Sequence, residues 1–145
     1  MKVLLTGASS FTGTWFAEAL TAAGHRVVAT MTGAPESYEG VRGRRVHQLR
    51  DLGVELVPGC RFGDETFLSV LTKSCDVLCH HAACVENYKS LDFDVGHAVA
   101  ENTHSLRSVL AIGKDNGLRG IVLTGSVFEA NEGVGNSPMR AFSPY

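Results

Sequence analysis

A strand, a turn of small residues and a helix follow one another at the beginning of this chain. The strand is Lys2-Val3-Leu4-Leu5, and the turn is Thr6-Gly7-Ala8-Ser9-Ser10-Phe11-Thr12-Gly13. Gly7 can take backbone angles that are closed to other residues, so the chain can turn sharply off the strand. The helix that follows presents unpaired N–H groups and the positive end of its dipole to an anion. This layout predicts a site for a pyrophosphate.

The turn departs at one position from the dinucleotide-binding pattern G-x-x-G-x-x-G. Ser10 stands where the middle glycine usually does, and serine is still small enough to permit close approach of a ligand. Gly13 and Ala17 leave room for the helix to lie close to the sheet. A tight turn without a ligand is the alternative interpretation. A phosphate-loop nucleoside triphosphatase is excluded because no Gly-Lys-Ser/Thr sequence follows the strand.

Strands and helices alternate along the rest of the chain. This alternation predicts right-handed crossovers and a parallel α/β sheet of five strands in the order 3-2-1-4-5, with a ligand crevice at the carboxyl ends of strands 1 and 4. The later strands are Val27–Met31, Val54–Val57, Asp76–Cys79 and Ile121–Leu123; the helices are Thr12 to Ala23, Gly40 to Asp51, a short one capped by Asp64, and a long one from about Val95 to Lys114.

Size and charge limit the classes of protein to which the chain can belong. Its 145 residues predict a single domain, with 125–145 mostly loop. A net charge of −2 argues against nucleic acid or a membrane surface as a partner. The apolar stretch after Lys2 is too short for a signal peptide. We therefore expect a cytoplasmic protein.

The four cysteines form no C-x-x-C pair. They are Cys60, Cys75, Cys79 and Cys84, and buried reduced thiols are the favoured interpretation. A zinc site from Cys84 with His80 and His81 is the alternative, although a strand end and its loop hold a tetrahedral ion poorly. We expect no metal.

Six ordered motifs together resemble the extended short-chain dehydrogenase/reductase family, which comprises NAD(P)-dependent nucleotide-sugar epimerases and dehydratases. The resemblance runs from residue 2 to the last residue. The motifs are Thr6-Gly7-x-x-Ser10-Phe11-Thr12-Gly13, Gly63-Asp64, His80-His81-Ala82-Ala83, Asn102-Thr103-His104-Ser105-Leu106, Leu123-Thr124-Gly125-Ser126 and Ser143-Pro144-Tyr145.

The resemblance implies a Rossmann-type doubly wound sheet and a set of site residues. Ser126 and Tyr145 match the catalytic positions, where they would polarise the substrate and act as the base in hydride transfer at a sugar carbon. Asp64 would meet the adenine, or cap a helix, or serve both roles. The cofactor-binding positions are Gly7, Ser9, Ser10, Phe11, Thr12, Gly13, Asp64, Ala82, Ala83 and Thr124.

The family motif continues past the tyrosine to a lysine four residues later, and this sequence stops at Tyr145. The lysine lowers the pKa of the tyrosine, which is about 10 when free. We therefore expect a catalytically incomplete domain, truncated before the second half of the sheet. The alternatives are a non-catalytic dinucleotide-binding or interaction module, and a fragment of a longer epimerase or dehydratase.

The choice between NAD and NADP depends on the residues after strand 2. Thr30-Met31-Thr32 offers no acid for the ribose hydroxyls that NAD presents. Four arginines, Arg42, Arg44, Arg45 and Arg50, form either a solvated helix face or a site for a 2′-phosphate. The sequence leans slightly toward NADP.

Strand 5 predicts self-association. A complete dinucleotide-binding sheet has six or more strands, so Ile121-Val122-Leu123 would lie at an exposed, unpaired edge. We expect a homodimer or larger assembly that covers this edge, with a dinucleotide and a nucleotide-sugar as the small-molecule partners.

Overall fold

The computed structural model describes residues 1–88 and 90–125, and in these ranges five strands alternate with helices. The strands are β1 (Lys2–Thr6), β2 (Arg26–Thr30), β3 (Glu55–Val57), β4 (Val77–His80) and β5 (Gly120–Leu123). The helices are α1 (Phe11–Ala22), α2 (Gly40–Asp51), α3 (Glu65–Leu71), α4 (Val95–Asn102) and α5 (Leu106–Asp115), with one short 3-10 turn at Pro35–Ser37.

The five strands form one parallel sheet in the order β3-β2-β1-β4-β5, which confirms the predicted topology. Thr6 at the end of β1 pairs with Thr30 on one side and His80 on the other. His80 in turn pairs with Leu123 at the end of β5. This register brings the carboxyl ends of four strands to one edge of the sheet.

Alternating side chains of the strands enter two separate cores. Val3 and Leu5 pack with Ala17 of α1 and Leu49 of α2 on one face. Leu4 points to the other face, because successive side chains of a strand alternate, and packs in the core formed with α3 and α5. Helices therefore cover both faces of the sheet, as a doubly wound fold requires.

The prediction of one long helix from Val95 to Lys114 is wrong, because the chain interrupts it between α4 and α5. Ser105 has a left-handed backbone with φ of 51°. Three of the apolar side chains in this stretch, Val99, Leu106 and Leu110, are exposed. The buried positions of these two helices are instead Ala98, Val109 and Gly113.

A close contact with the loop before α3 occurs where the helix is interrupted. Gly63 has φ of 79°, and a Cβ built on it would lie 1.9 Å from the carbonyl oxygen of His104. The backbone of the loop thus rests directly on the interruption. The interruption is a tertiary feature that helical periodicity does not reveal.

Some predicted positions lie outside the described residues. These are Ser126, Tyr145 and the rest of the segment predicted as loop after Gly125. Within the described ranges, no helix is long and apolar enough to cross a membrane.

Candidate functional site

The turn after β1 closes on itself only because two of its residues are glycines. Gly7 has φ of 72°, and a Cβ there would lie 2.8 Å from the backbone nitrogen of Ala82. A Cβ on Gly13 would lie 2.1 Å from the carbonyl oxygen of Gly7. Any larger residue at either position would push the turn away from β4 or from the start of α1.

The first turn of α1, at the end of this loop, presents backbone N–H groups. Ser10 caps the helix: its Oγ accepts a hydrogen bond of 3.0 Å from the Gly13 N–H. The N–H groups of Phe11 and Thr12 have no acceptor inside the helix. No acidic side chain lies in this turn. The arrangement can therefore receive a negatively charged group.

Thr6 joins the end of β1 to the end of β4. Its Oγ1 accepts the N–H groups of His81 and Ala82 at 3.0 and 2.9 Å. Because this oxygen already accepts two hydrogen bonds, the Thr6 hydroxyl donates its proton to Nδ1 of His80, 2.9 Å away. His80 therefore carries its own proton on Nε2, and the three bonds hold the two strand ends in register.

His80 lies on the α3 face of the sheet, where its ring stacks on Phe62 with ring centres 4.0 Å apart. Burial lowers the pKa of this imidazole below its usual value; a hydrogen bond to the Asn102 backbone opposes the shift, and nearby His81 adds to it. The ring is therefore neutral at pH 7 and serves as a packed hydrogen-bonding group.

His81 lies on the opposite face, against α1. Its Nε2 is 3.0 Å from Ser10 Oγ, and its ring meets Phe16 edge-on at 5.0 Å. Nδ1 is buried and has no hydrogen-bond partner among residues 1–88 and 90–125. Burial also lowers the pKa of His81. The two histidines therefore lie on opposite faces of the sheet, and each packs against an aromatic ring.

Two of the four predicted arginines approach the turn. Arg42 Nε donates to Ser9 Oγ at 3.0 Å, and its guanidinium lies 4.7 Å from the centre of the Tyr38 ring. Arg45 lies over the ring of Phe11 at 5.5 Å. These contacts place positive charge beside the carboxyl ends of β1 and β2.

The other two arginines point elsewhere. Arg50 pairs with Glu36, and Arg44 is exposed on α2. After β2, Met31 is buried and the hydroxyl of Tyr38 accepts the N–H of Gly33 at 3.0 Å. The end of β2 therefore carries hydroxyl and arginine groups rather than a carboxylate.

Asp64 caps α3, as the sequence predicts. One carboxylate oxygen accepts the Phe67 N–H at 2.8 Å, and the other accepts the Arg61 N–H at 3.0 Å. A contact with adenine stays a prediction. Among the other predicted positions, Ala82 touches Gly7, and Thr124 donates its N–H to the His80 carbonyl oxygen at 3.2 Å.

The hydrogen bonds from Thr6 to His80 and between Ser10 and His81 are not predicted by the sequence pattern. Each pair is separated by more than 70 residues along the chain. The available signal was the presence of polar side chains at the ends of two neighbouring strands. The pattern does not indicate which of these side chains meet.

The cysteines and the two histidines are not arranged as the ligands of a metal ion. Cys60, Cys75 and Cys79 are buried, and burial, with a smaller contribution from the Asp64 carboxylate, raises the pKa of Cys60 to about 12. His80 and His81 face opposite sides of the sheet. In the part of the chain that the structure describes, no three His, Cys, Asp or Glu side chains are placed to hold a metal.

Comparison with known families gives a match that spans nearly the whole chain. The family described as "NAD dependent epimerase/dehydratase family" matches residues 3–145. No curated protein matches the sequence significantly.

Several solved structures share the fold. UDP-glucose-4-epimerase from Stenotrophomonas maltophila, with bound NAD and formylated UDP-arabinopyranose, superposes with a TM-score of 0.70 at 20% identity, over 100% of this chain and 44% of that one. UDP-glucuronic acid 4-epimerase from Bacillus cereus, in complex with NAD, gives 0.70 at 21% identity, over 99% and 47%. Gre2 from Candida albicans, in complex with NADPH, gives 0.65 at 18% identity, over 90% and 38%. The chain thus spans less than half the length of these structures.

Proposed function

The chain belongs to the NAD-dependent epimerase/dehydratase family, and we propose that it binds a nicotinamide dinucleotide, with the pyrophosphate seated over the first turn of α1. One observation carries the proposal: the close contact between Gly7 and Gly13 positions the first turn of α1, where the N–H groups of Phe11 and Thr12 have no acceptor inside the helix and no acidic side chain is present. The dinucleotides bound in the epimerase and Gre2 structures support the same ligand class.

The rest of the ligand follows the carboxyl edge of the sheet. Ala82 and Ala83 are small enough to admit the adenosine beside β4. Asp64, at the start of α3, would meet the adenine while it caps the helix. When bound, the nicotinamide would supply a carrier for hydride; the described residues bind and orient it.

Calorimetric titration with NAD, NADP and ADP-ribose tests this proposal. We expect saturable binding of all three, because all share the pyrophosphate. Gly7→Val should abolish binding, since its side chain would collide with the Ala82 backbone. Gly120→Ala should bind normally, because a Cβ there meets nothing within 4 Å. Absence of binding by the parent chain would overturn the proposal.

We further propose that the site prefers NADP. Arg42 and Arg45 lie beside the turn, and Thr30-Met31-Thr32 offers no acid that would repel a 2′-phosphate. Arg42→Ala should weaken NADP binding about tenfold and leave NAD nearly unchanged, because one charge-assisted bond is lost. Arg44→Ala, on the exposed face of α2, is the matched control. Equal affinity for NAD and NADP in the parent would contradict the preference.

The family supports hydride transfer at a sugar carbon as the reaction of the whole protein. We propose a nucleotide-sugar as the substrate, with Ser126 as the polarising hydroxyl and Tyr145 as the base. A panel of UDP- and GDP-sugars with NAD(P), followed by product analysis, tests this in the longest natural form of the protein. Tyr145→Phe should abolish turnover and retain cofactor binding. Binding without any turnover would favour a non-catalytic module.

We also propose that two copies of the chain associate through β5. This strand is at one edge of the described sheet, and its side chains Ile121, Val122 and Leu123 are 37%, 54% and 70% exposed. Burial of these side chains in an interface would contribute a favourable free energy of about 25 cal/mol per Å² of apolar surface removed from water. A second copy, which offers the same apolar edge, is the occupant that fits.

A further inference from the structure

Ser10 and His81 form a contact that the glycine pattern cannot provide. Ser10 Oγ lies 3.0 Å from His81 Nε2. A glycine, which is the usual residue at this place in the pattern, has no side chain to offer. The contact therefore depends on the serine at position 10, and it lies at the start of α1.

The hydroxyl of Ser10 already has one fixed bond. Its oxygen accepts the Gly13 N–H at 3.0 Å. A hydroxyl has one proton and two acceptor positions. The contact with His81 then uses either the hydroxyl proton or the second acceptor position, and the choice depends on which ring nitrogen of His81 carries a proton.

The surroundings of Nδ1 decide between the two arrangements. This atom is buried and has no partner among the described residues. A proton on Nδ1 would be a buried donor without an acceptor, which is rarer in proteins than an acceptor without a donor. The favoured tautomer therefore carries the proton on Nε2, and Nε2–H donates to Ser10 Oγ.

With both acceptor positions filled by Gly13 N–H and His81 Nε2–H, the hydroxyl proton of Ser10 is left without an acceptor among residues 1–88 and 90–125. Ser10 Oγ lies at the start of α1, beside the unpaired N–H groups of Phe11 and Thr12. An anion seated on these two groups is therefore within the reach of the Ser10 hydroxyl.

We propose that His81 orients the Ser10 hydroxyl so that its proton is donated to the pyrophosphate, which makes Ser10 a third donor beside the two backbone N–H groups. The inference rests on the proposed dinucleotide site and assigns His81 as a positioning residue. The serine in place of glycine thus adds a bond to the ligand instead of weakening the turn.

A double-mutant cycle with ADP as the probe tests the coupling. Ser10→Ala and His81→Leu should each weaken ADP binding about tenfold, which is the effect of one hydrogen bond to a charged group. The double variant should be no weaker than either single variant, because both remove the same bond. His81→Gln, whose amide nitrogen can replace Nε2–H, should restore most of the affinity.

Asp94→Ala is the matched control for the loss of a helix cap. Asp94 caps α4 by accepting the His97 N–H at 2.8 Å, in the same way as Ser10 caps α1. This variant should lose stability and keep its affinity for ADP. If Asp94→Ala also lost affinity for ADP, the effect of Ser10→Ala would be explained by the loss of a helix cap and the resulting instability, and the proposal would be wrong.

Nitrogen-15 NMR of the imidazoles in the ligand-free chain gives a second readout, which does not depend on binding. We expect His81 protonated on Nε2. A proton on Nδ1, additive losses in the cycle, or unchanged affinity of His81→Leu would each overturn the inference. If the parent chain binds NAD(P) and ADP and the variants bind ADP with the same affinity, the proposed function stands and the inference about His81 fails. If the parent chain binds none of these ligands, both the proposed function and the inference fail.

Discussion

Single residues of the site are constrained by contacts with backbone atoms. Gly13 lies in α1 with ordinary helical angles, so its need for glycine does not come from φ. It comes from the Gly7 carbonyl oxygen, which lies 2.1 Å from the place where a Cβ would be. Backbone cannot move aside as the end of a flexible side chain can. This close approach gives the turn its shape.

Gly13→Ala should therefore lower the free energy of unfolding by about 1–3 kcal/mol, because the added methyl group forces the turn and the helix apart. Urea denaturation checks this. Gly120→Ala adds the same methyl group where nothing lies within 4 Å, so it should change stability by less than about 0.5 kcal/mol. Similar losses for the two variants would show that the close approach is not real.

The two partly buried histidines, His80 and His81, predict a pH dependence of stability. Burial lowers the pKa of His80 and of His81 in the folded chain, whereas in the unfolded chain both titrate at about 6.5. Below that pH the unfolded state binds more protons than the folded state, so the free energy of unfolding falls as pH falls. The contribution is fully present above about pH 6.5.

Urea titrations between pH 5 and 8 measure this slope. The double variant His80→Asn with His81→Gln should show a smaller decrease toward pH 5 than the parent. His47→Gln removes an exposed imidazole on α2 and should keep the parent's slope. An unchanged slope in the double variant would refute the role of the two rings.

At the scale of elements, the interruption between α4 and α5 is the main departure from the predicted pattern. The stretch from Val95 to Lys114 carries enough helical periodicity for one helix. The loop containing Gly63 nevertheless occupies the space beside His104, and Ser105 takes a left-handed conformation there. The apolar residues of α5 are therefore turned so that Val109 enters the core.

Gly63→Ala should be strongly destabilising, by about 2–4 kcal/mol, since it combines a left-handed backbone with a collision against the His104 carbonyl. Gly59→Ala is the matched control. Gly59 also has a positive φ, 58°, but a Cβ there meets nothing within 4 Å, so it should lose only about 1 kcal/mol. Thermal or urea unfolding distinguishes them; equal losses would mean that backbone strain alone accounts for both.

At the scale of the whole molecule, the two edges of the described sheet differ in exposed charge. At β3, Glu55 is exposed and pairs with Arg26 at 2.7 Å. At β5 the three apolar side chains face solvent. Charged residues protect a sheet edge from association, and apolar ones promote it. Association through β5 is therefore the quaternary expectation.

Leu123→Lys should shift the chain toward a monomer, because a charge at the most exposed side chain of the apolar edge would have to lose its hydration in the assembly. Light scattering over a range of protein concentrations measures this. Val41→Lys, at an apolar side chain 53% exposed on α2, should leave the mass unchanged. A parent chain that is monomeric at high concentration would contradict the proposal.

Local patterns were enough to determine much of this molecule. The alternation of apolar strands with helices predicted the parallel order of the sheet, because short connections and right-handed crossovers leave few alternatives. The bounds of α2 and the cap by Asp64 also follow from neighbouring residues. The pattern also predicted the sharp turn at Gly7, whereas it assigned Gly13 to close packing of the helix on the sheet and did not predict its contact with the Gly7 carbonyl oxygen.

Only the tertiary structure decided which distant residues meet. Thr6 and His80 are 74 residues apart in sequence, and Ser10 and His81 are 71 apart. Their contacts depend on the register of β1 against β4, which no local pattern specifies. The interruption at His104 likewise depends on the loop at Gly63, 41 residues earlier by number (104 − 63). Side-chain period and turn chemistry act over a few residues, whereas the position of polar partners is set by how whole strands align.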